Sequence, residues 1–398
     1  MNSFIKLFLF SLCIQKAISN VSPIKESFFI NNIFKDEGSL KAEGNSESYE
    51  TRIKKSILNN MALKWTFPID YKIGPNVDRD TIKAALALLE KETCITFNET
   101  STFTKGGLNY VHKNRCFSFI GKITTTIPQD IDLAPECNKV TIVLHETSHA
   151  LGVIHEMTRH DRDYYVDVKF VNIHPPYHPN FQVFDLTKAS PLGLTYDFGS
   201  VMHYDRYAGS INRQLAMQPK YESYLKTIGQ RTRFGFNDAK QLNIHYCSDK
   251  CRDSKLECKM GGYPNPNNCE VCKCPEFYTG KLCQKLSPSD EQCGRTKVKA
   301  KTLDKELTVD GIKTCYFQIT ASNGSRVELN IETDLADNHV CQPDEGLEVK
   351  YLSDKAVSGA MLCGRIFGKI ITSEDEVVVM KYVGLTQYSK IKILYREI

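Results

Sequence analysis

Apolar residues fall into different regimes along this chain. Between 79 and 93 they recur at helical spacing, at Ile82, Ala85, Leu86 and Leu89, which predicts an amphipathic helix with one side toward a core. Val140, Val143, Leu144, Thr147 and Leu151 repeat that spacing and predict a second helix. Residues 94–97 and 107–111 predict short strands, and 116–121 alternates as a strand does. After Cys251 the chain becomes Cys-dense and rich in Gly and Pro. From 293 to 398, alternating or continuous apolar runs such as 327–331 and 376–381 predict an all-β region.

The first residues read differently. Lys6, the short apolar run 7–14 and the small-residue stretch Ala17-Ile18-Ser19 have the layout of a signal peptide over 1–19. That run is far shorter than the roughly 20 residues a spanning helix needs, and no later stretch is long and apolar enough, so no membrane span is expected. Residues 20–55 are polar, with few aromatics, and read as a pro-segment.

Composition narrows the class. A length of 398 residues suggests two to four domains. The 51 basic and 47 acidic residues leave a net charge of +4, too balanced to argue for a nucleic-acid partner or a membrane surface. Of 15 cysteines, Cys13 lies in the leader, and the 14 that remain in an exported chain favour seven disulfides. The expected location is secreted and extracellular.

The second helix carries the chemistry. Residues 145–156 read H-E-T-S-H-A-L-G-V-I-H-E. His145 and His149 are one helical turn apart and face the same way, so both imidazoles can bind one Zn²⁺ at about 2.0–2.1 Å. Gly152 accepts the left-handed conformation that ends a helix and reverses the chain. His155 then returns as a third nitrogen ligand. Three nitrogens and a water make an open, catalytic site, whereas structural zinc is closed by four protein ligands. Glu146, beside the first ligand, is the general base for a zinc-bound water.

His145-Glu-x-x-His149-x-x-Gly152-x-x-His155 is the metzincin motif. Glu156, then Arg159-x-Asp161-Arg162-Asp163-x-Tyr165-Val166, resembles the astacin family of zinc endopeptidases in particular. Ser200-Val-Met202-His-Tyr204 resembles the astacin Met-turn. Gly229-Gln-Arg231, Asn243-x-x-Tyr246-Cys247 and the Trp65-containing stretch 64–73 extend the likeness over about 56–247. Cys251, Cys258, Cys269, Cys272, Cys274 and Cys283 resemble an EGF-like module, and 293–398 resembles a CUB domain. The tail and the Asn/Lys/Ile-rich composition resemble nematode astacins.

The resemblance implies an α+β fold: a two-lobed catalytic domain at 56–248 with the zinc helix in its cleft, an EGF-like module at 249–284 and a CUB sandwich at 293–398. It implies the disulfides Cys94–Cys247, Cys116–Cys137, Cys251–Cys269, Cys258–Cys272, Cys274–Cys283, Cys293–Cys315 and Cys341–Cys363. Met202 lies beneath the metal, and Tyr204 is a movable fifth ligand that turns to the oxyanion. In zymogens of the family an Asp of F-x-G-D occupies the zinc. Here the matching stretch is Phe34-Lys-Asp36-Glu37, so the blocking ligand is Glu37 or Asp36. The basic run 52–55 offers a processing site that would make Ser56 the new N-terminus, with the bonds after Lys54 and Arg52 as alternatives, and the resemblance implies that the new amine is linked through water to Glu156. The edge near 116–121 pairs with extended substrate.

The function expected is a secreted, zymogen-derived zinc endopeptidase with one Zn²⁺ and Glu146 as base. Its partners are extracellular protein or peptide substrates, an activating protease and protein ligands of the tail. The alternative is an inactive binding or adhesion protein that uses the EGF-like and CUB modules. Sequons place glycans at Asn98 and Asn323, and a further one at Asn20.

Overall fold

The computed structural model describes residues 57–58 and 63–398. Residues 1–56, which take in the expected leader and pro-segment with Asn20, Asp36 and Glu37, and Ser56, lie outside the described residues. β1 (Ile57–Leu58) opens the described chain. The N-terminal lobe is a five-stranded sheet of β2 (Ile69–Ile73), β3 (Phe97–Glu99), β4 (Leu108–His112), β5 (Phe117–Ser118) and β6 (Gln129–Leu133), in the order 3-2-4-6-5. Parallel pairing joins β3, β2, β4 and β6, and the edge strand β5 runs antiparallel to β6.

Helices cover this sheet. Asp78 starts α1 (Arg79–Glu92) by accepting the N–H groups of Asp80 and Thr81 at 3.0 and 3.2 Å, which satisfies two donors the helix cannot. Its buried face is Ile82, Ala85, Leu86 and Leu89, as the spacing predicts. α2 (Val140–Ala150) is sequestered almost all round, with every residue from Thr141 to Ala150 buried. The C-terminal lobe has little regular structure. In it β7 (Val166–Val168) pairs with β9 (Met217–Pro219), β8 (Ala189–Ser190) pairs with β1, and α3 (Phe236–Tyr246) closes the lobe. Cys94–Cys247 ties α1 to the end of α3 across 153 residues, worth roughly 5 kcal/mol in the chain-entropy account.

Two strand predictions need correcting. Residues 94–96 are not in the sheet, and pairing starts at Phe97. There the Cys94 disulfide and the Thr93 hydroxyl, which accepts the Ile95 N–H at 3.1 Å, hold the chain in a turn. In 116–121 only Phe117–Ser118 is strand. Gly121, at φ +80°, instead gives its N–H to the His149 carbonyl at 2.7 Å, so this segment leaves the sheet to brace α2.

All seven disulfides pair as the resemblance implies. The last region is a two-sheet CUB-like sandwich. One sheet holds Lys297–Lys299, Thr314–Thr320, Val377–Val383, Gly346–Lys350 and Ala360–Leu362. The other holds Lys305–Asp310, Lys390–Glu397, Val327–Asp334 and Arg365–Thr372. Asn98 and Asn323 are both exposed. No described helix is long and apolar enough to cross a membrane.

The apolar interior does not follow these divisions. One core underlies the five-stranded sheet and includes Val201 and Met202. The other contains Tyr196, Phe198, Tyr204 and Tyr224 of the C-terminal lobe and continues into Phe317, Leu347, Tyr351 and Val357 of the sandwich. Arg233 grips Glu348 through two 3.0 Å bonds, and Lys350 reaches Glu276 of the disulfide-rich module at 3.3 Å. Burial alone would raise Glu276, but Lys350 and Arg233 bring it down to about 2.

Candidate active site

α2 is held by its own last turn. Three of the carbonyls at its C-terminal end meet a donor from far away. Trp65 Nε1 donates to Ala150 O at 2.8 Å, the Tyr246 hydroxyl to Leu151 O at 2.8 Å, and Gly121 N to His149 O at 2.7 Å. Gly152, at φ +97°, turns the chain, and His155 comes back over the helix.

The three imidazoles then meet. Nε2 of His149 lies 3.1 Å from Nε2 of both His145 and His155, and the other two Nε2 atoms are 3.3 Å apart. Among the described residues these three are the group whose ligand atoms converge as a metal site requires. His145 Nδ1 donates to Val201 O at 2.9 Å, and His149 Nδ1 donates to Val153 O at 2.7 Å. Those bonds put the ring protons on Nδ1 and leave the Nε2 lone pairs facing inward. Burial holds all three rings neutral: His149 falls to about 4, and His145 and His155 lie well below the ordinary histidine range, helped by neighbouring charge from Arg231.

Zinc fits this donor set. Tetrahedral ligands with 2.0–2.1 Å bonds stand about 3.3–3.4 Å apart, close to the spacing observed. Converging lone pairs repel one another unless a cation sits between them. Chelation should therefore lower the melting temperature, and added Zn²⁺ should restore it. At 100-fold excess over Kd the ion contributes about 2.7 kcal/mol. A melting curve indifferent to chelator and zinc would remove the metal from this site.

Around the triad, Glu146 is 2 % exposed and Tyr204 is 6 % exposed. The Tyr204 ring lies 4.4 Å from that of His155, and Phe181 meets its edge at 5.7 Å. Met202 is buried, and its carbonyl accepts the Glu156 N–H at 3.0 Å. The turn 200–204 is tied from several sides. Asp238 accepts Ser200 Oγ at 2.5 Å and Val201 N at 3.0 Å, and burial pushes its carboxyl up to about 7. Arg231 donates to the carbonyls of Val201 and His203 at 3.0 and 2.8 Å.

Glu156 occupies a pocket already furnished with a cation. Arg159 Nη1 donates to it at 2.8 Å while clasping Asp161 through Nε and Nη2 at 2.9 and 2.8 Å. Asp197 N–H donates to the same Glu156 oxygen at 2.9 Å. Burial pushes the Glu156 carboxyl up to about 7, with Arg159 the main opposing influence. The expected partner of this carboxylate is the new N-terminal amine; Arg159 is a partner not anticipated from the sequence, although the i,i+3 spacing signals such a pair. Asp197, Asp238 and Arg231 were also missed as supports of the turn, since their partners are far off in sequence. β1 does run toward this pocket: Ile57 bridges Val153, and Leu58 N–H donates to Gly152 O at 3.1 Å.

A sequence profile described as that of the Astacin peptidase family matches residues 57–247. The chain belongs to the astacin family. Curated relatives of this astacin include the zinc metalloproteinase nas-34 of Caenorhabditis elegans, 32% identical over 362 residues that make up 89% of this chain and 59% of the relative. The zinc metalloproteinase dpy-31 of Brugia malayi is 30% identical over 369 residues, 86% of this chain and 61% of the relative. The chain thus spans about three-fifths of the length of these two relatives. Among solved structures, high choriolytic enzyme 1, a hatching enzyme zinc-protease from Oryzias latipes, is 32% identical, with 45% of this chain and 88% of that chain covered and a TM-score of 0.41.

Proposed function

We propose that this astacin is a secreted zinc endopeptidase made as a zymogen. The observation that carries the reading is the convergence of three inward-facing Nε2 atoms within 3.1–3.3 Å, with Glu146 beside one of them on the same buried helix. A zinc ion held by His145, His149 and His155 supplies Lewis-acid polarisation of the scissile carbonyl and lowers the pKa of a water to about 7. Glu146 takes the proton from the attacking water and delivers it to the departing amine. Tyr204 donates its phenol proton in a hydrogen bond to the oxyanion as charge develops there. Met202 contributes packing under the ligands and no charge chemistry. Extracellular proteins are the substrates, and seven disulfides suit that compartment.

Tyr204→Phe tests the oxyanion role. It deletes one donor and no histidine, so kcat should fall about 10²–10³-fold with KM little changed. A change confined to KM would take Tyr204 out of the transition state.

Activation follows from the same pocket. Cleavage before Ser56 removes the segment carrying Asp36 and Glu37, one of which blocks the zinc, and frees an amine one residue before Ile57. Ile57 is 0 % exposed, which supports an N-terminus drawn into the interior. The amine then joins Glu156 beside Arg159. Residues added before Ser56 in the mature chain should lower both melting temperature and turnover, and Glu156→Ala should abolish sensitivity to them. Fully additive effects in that comparison would mean that the amine and Glu156 do not communicate.

A further inference from the structure

The turn 200–204, whose Val201 and Met202 carbonyls accept from His145 and Glu156, is anchored on both sides by the C-terminal sandwich. On the side entering the turn, the buried Asp197 carboxylate accepts the backbone N–H of Ser358 at 3.2 Å to each oxygen and that of Gly199 at 2.9 Å. Asp197 N–H meanwhile donates to Glu156, the residue after the third histidine. On the side leaving it, His339 Nε2 stands 3.3 Å from Asp205, and its ring lies against Tyr207 at 5.4 Å. Between these anchors Met361 N–H donates to Thr227 Oγ1 at 2.8 Å, and the buried Tyr224 hydroxyl donates to Ser358 O at 3.2 Å. Phe198 stacks on Tyr224 at 4.4 Å, and Tyr224 meets Tyr351 of the sandwich at 5.7 Å.

Buried polar groups make this contact specific. Asp197 is 3 % exposed, and without Ser358 its carboxylate would lose a donor in a place that water does not reach. Gly199 records the same closeness. A Cβ there would lie 2.5 Å from Ser358 Cβ and 2.6 Å from its Oγ, while the glycine's own backbone needs no left-handed conformation. Its smallness serves the docking of the sandwich.

We propose that the sandwich is a fixed part of the catalytic unit, and that Ser358, through Asp197, is a positioning element for the turn 200–204 and for Glu156. The tail then acts on catalysis by holding the turn that carries Tyr204 and whose Val201 carbonyl accepts from His145. This rests on the peptidase reading for its kinetic consequence and on geometry alone for the docking.

The test is a size swap across the contact, made in the full mature chain. Gly199→Ala should push the Ser358 loop away. It should lower kcat on a peptide substrate about 2- to 30-fold, the range for coupling through packed contacts, with KM little changed. By hydrogen–deuterium exchange the amides of 198–204 and of 356–361 should exchange faster together. Ser358→Gly removes the two atoms that an alanine at 199 would strike. The double variant should therefore regain the kcat and exchange protection of Ser358→Gly alone, to within about twofold, a recovery that loss of local packing in the turn would not give. Unchanged kcat and exchange in Gly199→Ala would overturn the proposal, and so would a defect that Ser358→Gly fails to relieve. Should the native chain show no peptidase activity, the catalytic reading fails, and the exchange measurements still decide whether the sandwich holds the turn.

Discussion

Glu146→Gln should retain zinc and lose nearly all hydrolysis. The substitution is isosteric and leaves His145, His149 and His155 in place, so metal content measured on the purified chain should equal that of the native protein. What disappears is the group that accepts the proton of the attacking water. General-base contributions of this kind amount to about 10²–10⁴ in rate, so kcat should fall within or beyond that range. The site is buried, with Glu146 at 2 % exposure, which leaves little room for a solvent base to substitute. Turnover near the native value with zinc intact would remove Glu146 from the mechanism.

Arg159→Met should be the most destabilising substitution outside the disulfides. The guanidinium is 2 % exposed and donates to Glu156, to both oxygens of Asp161 and to the carbonyl of Leu194 at 3.0 Å. Removing it strips Asp161 of both its guanidinium bonds and Glu156 of its Nη1 donor in a largely buried pocket. Breaking a buried pair in this way costs about 3–5 kcal/mol. In a domain of this size that corresponds to a fall of roughly 6–20 °C in melting temperature. Adding Glu156→Gln to Arg159→Met should recover part of the loss, because the second change removes one of the stranded charges. A thermal scan in which Arg159→Met melts with the native protein would mean that the ion cluster carries no stability.

The zinc ligands were legible in the sequence because the metal needs them close together. Two histidines one turn apart, a glycine at φ +97° and a third histidine satisfy the geometry within eleven residues, and each condition is local. The disulfides were legible through resemblance, and the helix 79–92 through its apolar spacing. The strands at 94–97 and 116–121 were overread. Alternation reports which side chains face inward, and it is silent on whether the backbone has a partner strand. Gly121 had a better acceptor in His149 O than any neighbouring strand offered.

Long-range supports of the site were illegible for a related reason. Nothing near Asp197 in sequence announces a buried carboxylate, since its partner Ser358 is 161 positions away. The change in composition at Cys251 reads as a boundary between separate modules. Composition cannot reveal that the core of the C-terminal lobe runs on into the sandwich through Tyr224, Tyr351 and Val357. Glu348 is likewise the buried mate of Arg233, 115 positions away in sequence.

The central claim is that three histidines hold one zinc at which peptide bonds are cut. It is tested most directly by stripping metal from the chain matured at Ser56, returning Zn²⁺ stepwise, and following hydrolysis of a proteome-derived peptide library. Turnover should be absent at first, rise in proportion to added zinc and level off at one equivalent per chain. Hydrolysis that persists in the stripped chain, or that stays absent at one equivalent of bound zinc, would contradict the account.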